Sequence, residues 1–236
     1  MSTQDHSIDR REALRRVGLM FGGAAFVGGS RLLDAFEGDV HGRAEQLAQA
    51  GRGVGEFTAA DIAFLDEVAD TILPTTSTPG AKAARTGAFM AVMVNDTYGP
   101  SDQNVFRKGM RTLDDAAQKS SGATFMKSTP RQRLALLERL DREAKTYMDA
   151  VQAARDKAKR ASPSDGVVAA GQPLRNPDIG PDAPTHYFRM MKELTMLGYF
   201  TSQIGCTQAQ RYIESPGRFD PCAPYQKGER SWASHA

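Results

Sequence analysis

The chain has 236 residues, of which 40% are hydrophobic and 25% are charged, and its formal net charge is +2 at pH 7. This length suffices for one domain with a real core, or for one domain with extensions. No basic stripe with interleaved aromatic residues occurs, which argues against a nucleic-acid partner.

Residues 1–30 have the pattern of a twin-arginine export signal. Arg10 and Arg11 are followed by Leu14, as that pattern requires, although Ala13 stands where Phe is usual. The apolar run at residues 17–27 has 11 residues, whereas a bilayer-spanning helix needs about 20, so a permanent anchor is not expected. No clean Ala-x-Ala site follows, and both cleavage and retention of the segment stay open. The alternative interpretation is an amphipathic N-terminal helix with incidental arginines.

The twin-arginine route carries folded proteins to the periplasm. A protein exported in this way often contains a cofactor, or travels with a partner that contains one. The pattern therefore predicts periplasmic localisation and an engagement with the twin-arginine translocase.

Residues 31–56 are expected to form a helical lead and a glycine linker. Residues 31–50 are compatible with a helix, and Gly51, Gly53 and Gly55 interrupt it. A dinucleotide-binding loop is disfavoured because no apolar strand precedes these glycines and their order is wrong.

Capping and stop signals predict four helices between residues 58 and 160. Thr58 and Asp61 form a capping-box pattern, and Pro74 ends the helix that they begin. The other three helices are expected at about 83–98, 101–121 and 130–160.

Ser101 is predicted to cap the third of these helices, and Gly122 to end it. Thr129-Pro130 is a start signal for the fourth helix, because Pro is favoured at the first helical position. The buried face of that helix is predicted to include Leu134 and Leu137.

Residues 161–184 contain five prolines and three glycines, which excludes a regular element. The segment is too long for an ordinary connection, so it is either disordered or laid along another surface. We expect it to be a partner-facing loop.

A strongly apolar helix is predicted from His186 to Gly198, followed by an apolar segment. An exposed Met- and aromatic-rich surface favours a permanent interface. The residues predicted to face a partner are Tyr187, Met190, Met191, Leu194, Tyr199 and Phe200. A short helix is expected at 208–213, and residues 226–236 are expected to form a loose polar tail.

These patterns together predict an all-α fold of about five to seven helices with long Pro/Gly-rich loops. Neither strand alternation of useful length nor an internal repeat occurs in the sequence.

Cys206 and Cys222 are the two cysteines of the chain. In an oxidising periplasm such a pair predicts a disulfide, which would stabilise the fold by roughly 3 kcal/mol on the chain-entropy model. The alternatives are two free thiols or half of a metal site.

The sequence holds no recognisable catalytic, cofactor-binding or metal motif of the kinds expected for haem, iron–sulfur, FAD, NAD, zinc or a serine nucleophile. Isolated candidates remain. The first is the cluster of Asp66, Glu67 and Asp70, for which a solvated helix face is a better interpretation than a cation site. The second is His186 with Glu193, in which the histidine would act as a base. The third, Asp114-Asp115, is interpreted as solvated.

Three segments carry a resemblance to a known family. Thr71-Ile-Leu-Pro-Thr-Thr-Ser-Thr-Pro-Gly-Ala81 and Leu197-Gly-Tyr-Phe-Thr-Ser-Gln-Ile-Gly205 resemble the gluconate 2-dehydrogenase subunit 3 family, as does Pro216-Gly-Arg-Phe-Asp-Pro-Cys-Ala-Pro-Tyr225. The resemblance extends over about residues 57–225. Ser77 and Gln203 depart from it, because Asp and Glu are common at these positions.

The resemblance implies a small, non-catalytic subunit, exported by the twin-arginine route with a large FAD-containing subunit of the glucose–methanol–choline type. It implies that residues 57–225 form a helical small-subunit domain that helps the partner fold, load FAD and be exported. A cytochrome c subunit often completes such complexes, carries haem c and can associate the complex with the membrane. No cofactor is expected in this chain itself. The alternatives are a stand-alone periplasmic enzyme and a scaffold without a flavoprotein partner.

Overall fold

The computed structural model describes residues 40–161, 180–213, 215, 217, 222, 224 and 226–233. The predicted export signal with Arg10, Arg11 and Leu14 lies outside the described residues, as does most of the predicted loop at 161–184. The described part contains six α-helices, one 3-10 turn and one π-helical turn, and none of its residues belongs to a β-sheet, which confirms the all-α prediction.

Connections of two to thirteen residues join the first five helices, and a longer segment separates the fifth from the sixth. Their bounds are α1 Val40–Ala50, α2 Ala59–Ile72, α3 Thr86–Thr97, α4 Pro100–Ser121, α5 Pro130–Ala161 and α6 Tyr187–Phe200. The 3-10 turn is Phe125–Lys127, and the π-helical turn is Gly205–Ala209.

Local signals set most of these ends. Thr58 and Asp61 form the predicted capping box at the start of α2, and Gly122 ends α4 in the left-handed conformation with φ of 72°. The start of α4 differs from the prediction, because Gly99 is the capping residue and Pro100 takes the first helical position. Pro favours that position because its fixed φ suits the helix and its missing N–H would be unpaired there.

Helix α3 is the centre of the core. Nearly all of its side chains are buried, and it packs against α1, α2, α4 and α6. A helix that is apolar on every side is stable only when neighbours surround it, which is the arrangement found here. Helix α6 packs against α2, α3, α4 and α5 and closes the other side of the core.

Helix α5 presents a different face to the core from the predicted one. Leu137 is buried as predicted, but Leu134 is 48% exposed, and Leu136 and Leu140 are buried. Residues 136, 137, 140 and 144 form one stripe, and Leu134 lies outside it on the helical wheel.

The end of the predicted 161–184 loop lies along α5. Tyr147 Oη donates to the Pro184 carbonyl at 3.0 Å, and Arg155 Nε donates to the Pro181 carbonyl at 2.9 Å. These two contacts lie two helical turns apart, so residues 181–184 follow the surface of the long helix.

The C-terminal part also differs from the prediction. The π-helical turn ends at Ala209, where a helix over 208–213 was expected. Arg211 then pairs with the backbone around Trp232, and its guanidinium lies 4.5 Å from the centre of the indole ring. Residues 226–233 are therefore attached to the body at Trp232.

Among the described residues, no helix combines the length and the apolar character that crossing a membrane requires.

Candidate functional site

The connection between α2 and α3 begins with an exposed turn, Pro74–Gly80. The side chains of Thr75, Thr76 and Ser77 are exposed. Nevertheless the turn is internally bonded: the Thr76 N–H donates to the Thr78 carbonyl at 2.9 Å, and the Gly80 N–H donates to Thr75 Oγ1 at 3.0 Å. The exposed residues are thus held in one backbone conformation.

A residue of α6 also holds this turn through a hydrogen bond. Tyr199 Oη donates to the Pro79 carbonyl at 2.6 Å. At Gly80, a Cβ atom would lie 2.7 Å from Asp70 Oδ1 and 2.8 Å from the Leu73 carbonyl oxygen, so only glycine fits there. Two of the three segments that carry the family resemblance, 120 residues apart at this bond, therefore form one surface.

A cavity of about 330 Å³ lies next to this surface. Residues of α1, of the segment 83–85 and of the segment 202–204 line it. His41 Nε2 is 2.7 Å from Thr201 Oγ1, and the imidazole stacks on Phe89 with 4.6 Å between ring centres. Helix α1 is thereby attached beside the turn.

Arg85 adds backbone strain at the edge of this cavity. Its φ is 54°, in the left-handed region that non-glycine residues rarely adopt. Its guanidinium donates to the Glu45 carbonyl at 3.0 Å, which holds α1 against the start of α3.

An ion-pair cluster joins α2 to the connection that follows the turn and to α5. Glu67 pairs with both Lys82 and Arg133, and its side chain is 17% exposed. Burial disfavours the carboxylate, but the hydrogen bond from Lys82 and the charge of Arg133 outweigh it and hold the pKa of Glu67 below its usual value. The prediction of a solvated face is wrong here, because Glu67 joins α2, the connection to α3 and α5.

Asp66 is placed against the start of α3. Its Oδ1 accepts a hydrogen bond from the Gly87 N–H at 2.7 Å, which makes it a capping group supplied by another helix. Burial raises the pKa of Asp66 to about 6, although the Gly87 N–H and the charge of Lys82 act in the opposite direction.

The structure contradicts most of the predicted partner-facing surface. Met190, Met191, Leu194 and Tyr199 are at most 4% exposed and belong to the chain's own core. The apolar face of α6 is covered by the helices that surround it, and so it cannot also face a partner. Tyr187 and Phe200 are partly buried and pack against the same core.

The remaining candidate residues, His186, Glu193 and Asp114, each bond to a different group of the chain. His186 caps α6, with Nδ1 accepting from the Phe188 N–H at 3.2 Å, and burial lowers its pKa. Glu193 instead accepts from Arg189 at 2.7 Å. Asp114 accepts from the Phe125 N–H at 2.7 Å and so fixes the 3-10 turn.

The thiols of Cys206 and Cys222 are free in the structure, so the predicted disulfide is not formed there. Cys206 is buried and its Sγ lies 3.3 Å from the Phe200 carbonyl oxygen, whereas Cys222 is exposed. Burial raises the pKa of the Cys206 thiol, which lowers the thiolate fraction that disulfide exchange requires. Pairing in an oxidising compartment stays a prediction.

An open groove with a volume of about 640 Å³ lies between α5 and α6. Charged side chains of both helices line it together with Met196 and Leu197. Four of these side chains form two ion pairs, Lys192 with Asp141 at 2.6 Å and Arg189 with Glu193 at 2.7 Å. No group of three potential metal-ligating side chains occurs in the described ranges.

Sequence reasoning missed the bond between Tyr199 and Pro79 and the pairing of Glu67 with Arg133. No spacing rule joins residues so far apart along the chain. The available signal was that Pro79 and Tyr199 both lie in segments that resemble one family.

Comparison with known proteins identifies that family. The family model described as gluconate 2-dehydrogenase subunit 3 matches residues 59–217, which are 159 of the 236 residues. Neither a curated protein nor a solved structure matches the chain. The matched range includes α2 to α6, the Pro74–Gly80 turn and Tyr199. This chain therefore belongs to the gluconate 2-dehydrogenase subunit 3 family, whose name describes a subunit of a dehydrogenase complex.

Proposed function

We propose that this chain is the non-catalytic small subunit of a periplasmic FAD-dependent dehydrogenase that oxidises a sugar or a sugar derivative. Its role is to help the large catalytic subunit fold, load FAD and cross the membrane by the twin-arginine route. The observation that carries the proposal is the family match, which extends over the helical domain from α2 to α6.

The geometry of the titratable groups supports an accessory role. Glu67, Asp66, His186 and Asp114 each bond to groups of the chain itself and join or cap its helices. A stand-alone enzyme would need a base and an orienting group within hydrogen-bond reach of a shared substrate position. The pair considered for this role, His186 and Glu193, makes its hydrogen bonds elsewhere.

In this proposal FAD belongs to the large subunit, of the glucose–methanol–choline type. A cytochrome c subunit is the proposed acceptor of its electrons, and it would bring the complex to the membrane. The export signal at Arg10 and Arg11 then serves both this chain and the flavoprotein bound to it.

The test is co-expression of the large subunit with and without this chain. With the chain present, we expect the large subunit to be soluble, loaded with flavin and found in the periplasm. Without it, the flavin content and the periplasmic yield should both fall at least tenfold. A large subunit that loads FAD and is exported equally well alone contradicts the proposal.

A further inference from the structure

We infer that the large subunit binds this chain at the Pro74–Gly80 turn. Tyr199 is the residue that positions the turn. The inference rests on the proposed function, because it names the surface through which that function is carried out. Three observations support it: the turn is exposed, hydrogen bonds hold its backbone in one conformation, and the hydroxyls at its tip form no hydrogen bond within the described part of the chain.

Exposure and rigidity occur together in this turn. Consecutive side chains from Pro74 to Ser77 are exposed, which is typical of a loop tip. However, bonds within the turn fix the backbone at Thr76 and Gly80. Two prolines further restrict it, since each fixes its own φ.

The tip of the turn lies outside the core, although Tyr199, which holds it, is a core residue. The core side chains around α3 are already enclosed by four helices, and the tip of the turn contributes none of them. Yet Tyr199, at the end of α6, donates its hydroxyl to the Pro79 carbonyl at 2.6 Å. A surface element held in one conformation loses less entropy on binding, which is how a preformed contact gains affinity.

The tip offers polar groups rather than apolar surface. Thr76 and Ser77 are exposed, and within the described part of the chain their hydroxyls form no hydrogen bond. Such a tip fits a polar pocket of a folded protein that presents backbone or amide groups. By contrast, the charged groups that line the groove between α5 and α6 already pair with one another.

The experiment uses the full chain, tagged and co-expressed with the large subunit, and measures the flavin absorbance that co-purifies per small subunit. Thr76→Arg and Ser77→Arg place a long cation at the tip and leave the core unchanged. We expect each to reduce the captured flavin at least tenfold. Thr112→Arg, at an exposed position of α4, is the matched control and should stay within twofold of the unaltered chain.

Tyr199→Phe tests the positioning role. It removes the hydrogen bond to Pro79 and should reduce capture severalfold in the otherwise unaltered chain. In the Ser77→Arg background it should reduce capture by a clearly smaller factor, because the turn no longer binds. A residue that only stabilised the fold would reduce capture equally in both backgrounds.

The outcomes separate the two claims. If the unaltered chain captures no flavoprotein, the proposed function fails. If it captures flavin, and Thr76→Arg and Ser77→Arg capture as much, the proposed function stands and the turn is not the contact.

Discussion

The carboxylate of Asp66 shows how a single residue can connect two helices at a cost in stability. Its Oδ1 caps the start of α3 through the Gly87 N–H, and it lies beside Glu67 and Asp70. Burial is the main reason that its pKa rises from 3.8 to about 6, and these two like charges contribute. At neutral pH the folded state therefore contains a carboxylate that would be easier to ionise in the unfolded chain.

The sign of the pH dependence follows from this shift. Between about pH 4 and pH 6 the folded state binds the proton of Asp66 more tightly than the unfolded state, so this residue's contribution to stability falls as the pH rises. Below that window Asp66 is protonated in both states, and above it the full cost is present. A shift of about two pKa units corresponds to about 3 kcal/mol at most.

We expect Asp66→Asn to be more stable than the unaltered chain at pH 7.5, by about 1 to 3 kcal/mol, because the amide oxygen can still accept from Gly87 without carrying charge. The difference should shrink towards zero as the pH falls to about 4. Urea unfolding at several pH values measures it. Asp115→Asn, at an exposed position of α4, is the control and should give a difference that does not vary in this way. A difference at Asp66 that is constant with pH contradicts this assignment.

At the scale of the element, the capping box of α2 contributes measurably to the free energy of unfolding. The Asp61 N–H donates to Thr58 Oγ1 at 3.2 Å, and the Thr58 N–H donates to Asp61 Oδ2 at 2.8 Å. Both would-be unpaired donors at the start of the helix are satisfied by this exchange.

Thr58→Ala removes the accepting hydroxyl and should lower the free energy of unfolding by about 1 kcal/mol. Thr112→Ala is the matched control, because Thr112 is also exposed but lies inside α4 and bonds to the Lys108 carbonyl of its own helix. This control should be neutral or slightly stabilising, since Ala favours the helix interior. Equal losses in the two variants, measured by chemical unfolding, would argue against a capping role.

The helices themselves were largely predictable because their ends are set by short-range chemistry. Thr58, Pro74, Gly122 and Thr129-Pro130 each act on their immediate neighbours, and the structure confirms all four as boundaries. The prediction that Ser101 caps α4 was wrong for a reason that is also local, because Pro100 favours the first helical position and starts the helix one residue earlier.

Which face of a helix is covered, and by what, could not be predicted in the same way. An apolar stripe such as that of α6 is compatible with both a core and an interface. The surrounding helices, which come from distant parts of the chain, decide in favour of the core for Met190, Met191 and Leu194. The exposure of Leu134 and the burial of Leu136 likewise depend on how α5 is rotated against α2 and α4.

At the scale of the whole molecule, the export prediction concerns residues outside the described part. Replacing Arg10 and Arg11 together by Lys keeps the charge but removes the paired guanidinium groups of the signal. We expect the periplasmic yield of this chain to fall to background and, under the proposed function, that of the large subunit to fall with it. Cell fractionation measures both.

Replacing Arg15 and Arg16 together by Lys provides the matched control, because these residues form a second arginine pair just after Leu14. Export should continue in this variant. An unchanged periplasmic yield after the change at Arg10 and Arg11 contradicts the twin-arginine assignment.

The candidate site was predictable only as two separate segments. Their sequences indicate a family, but nothing in them shows that Pro79 and Tyr199 meet. That contact depends on the packing of α6 against α2 and α3, and it is visible only once the fold is known.

The bond between Tyr199 and Pro79 has a consequence for the order of events during synthesis. The turn is synthesised early, but the hydrogen bond from Tyr199 comes from a helix that leaves the ribosome 120 residues later. A partner that binds the turn in the conformation held by Tyr199 would thus bind the complete subunit more tightly than a truncated or partly folded one. Assembly would then act as a check on completeness, and an export complex would form only around a small subunit that has finished folding.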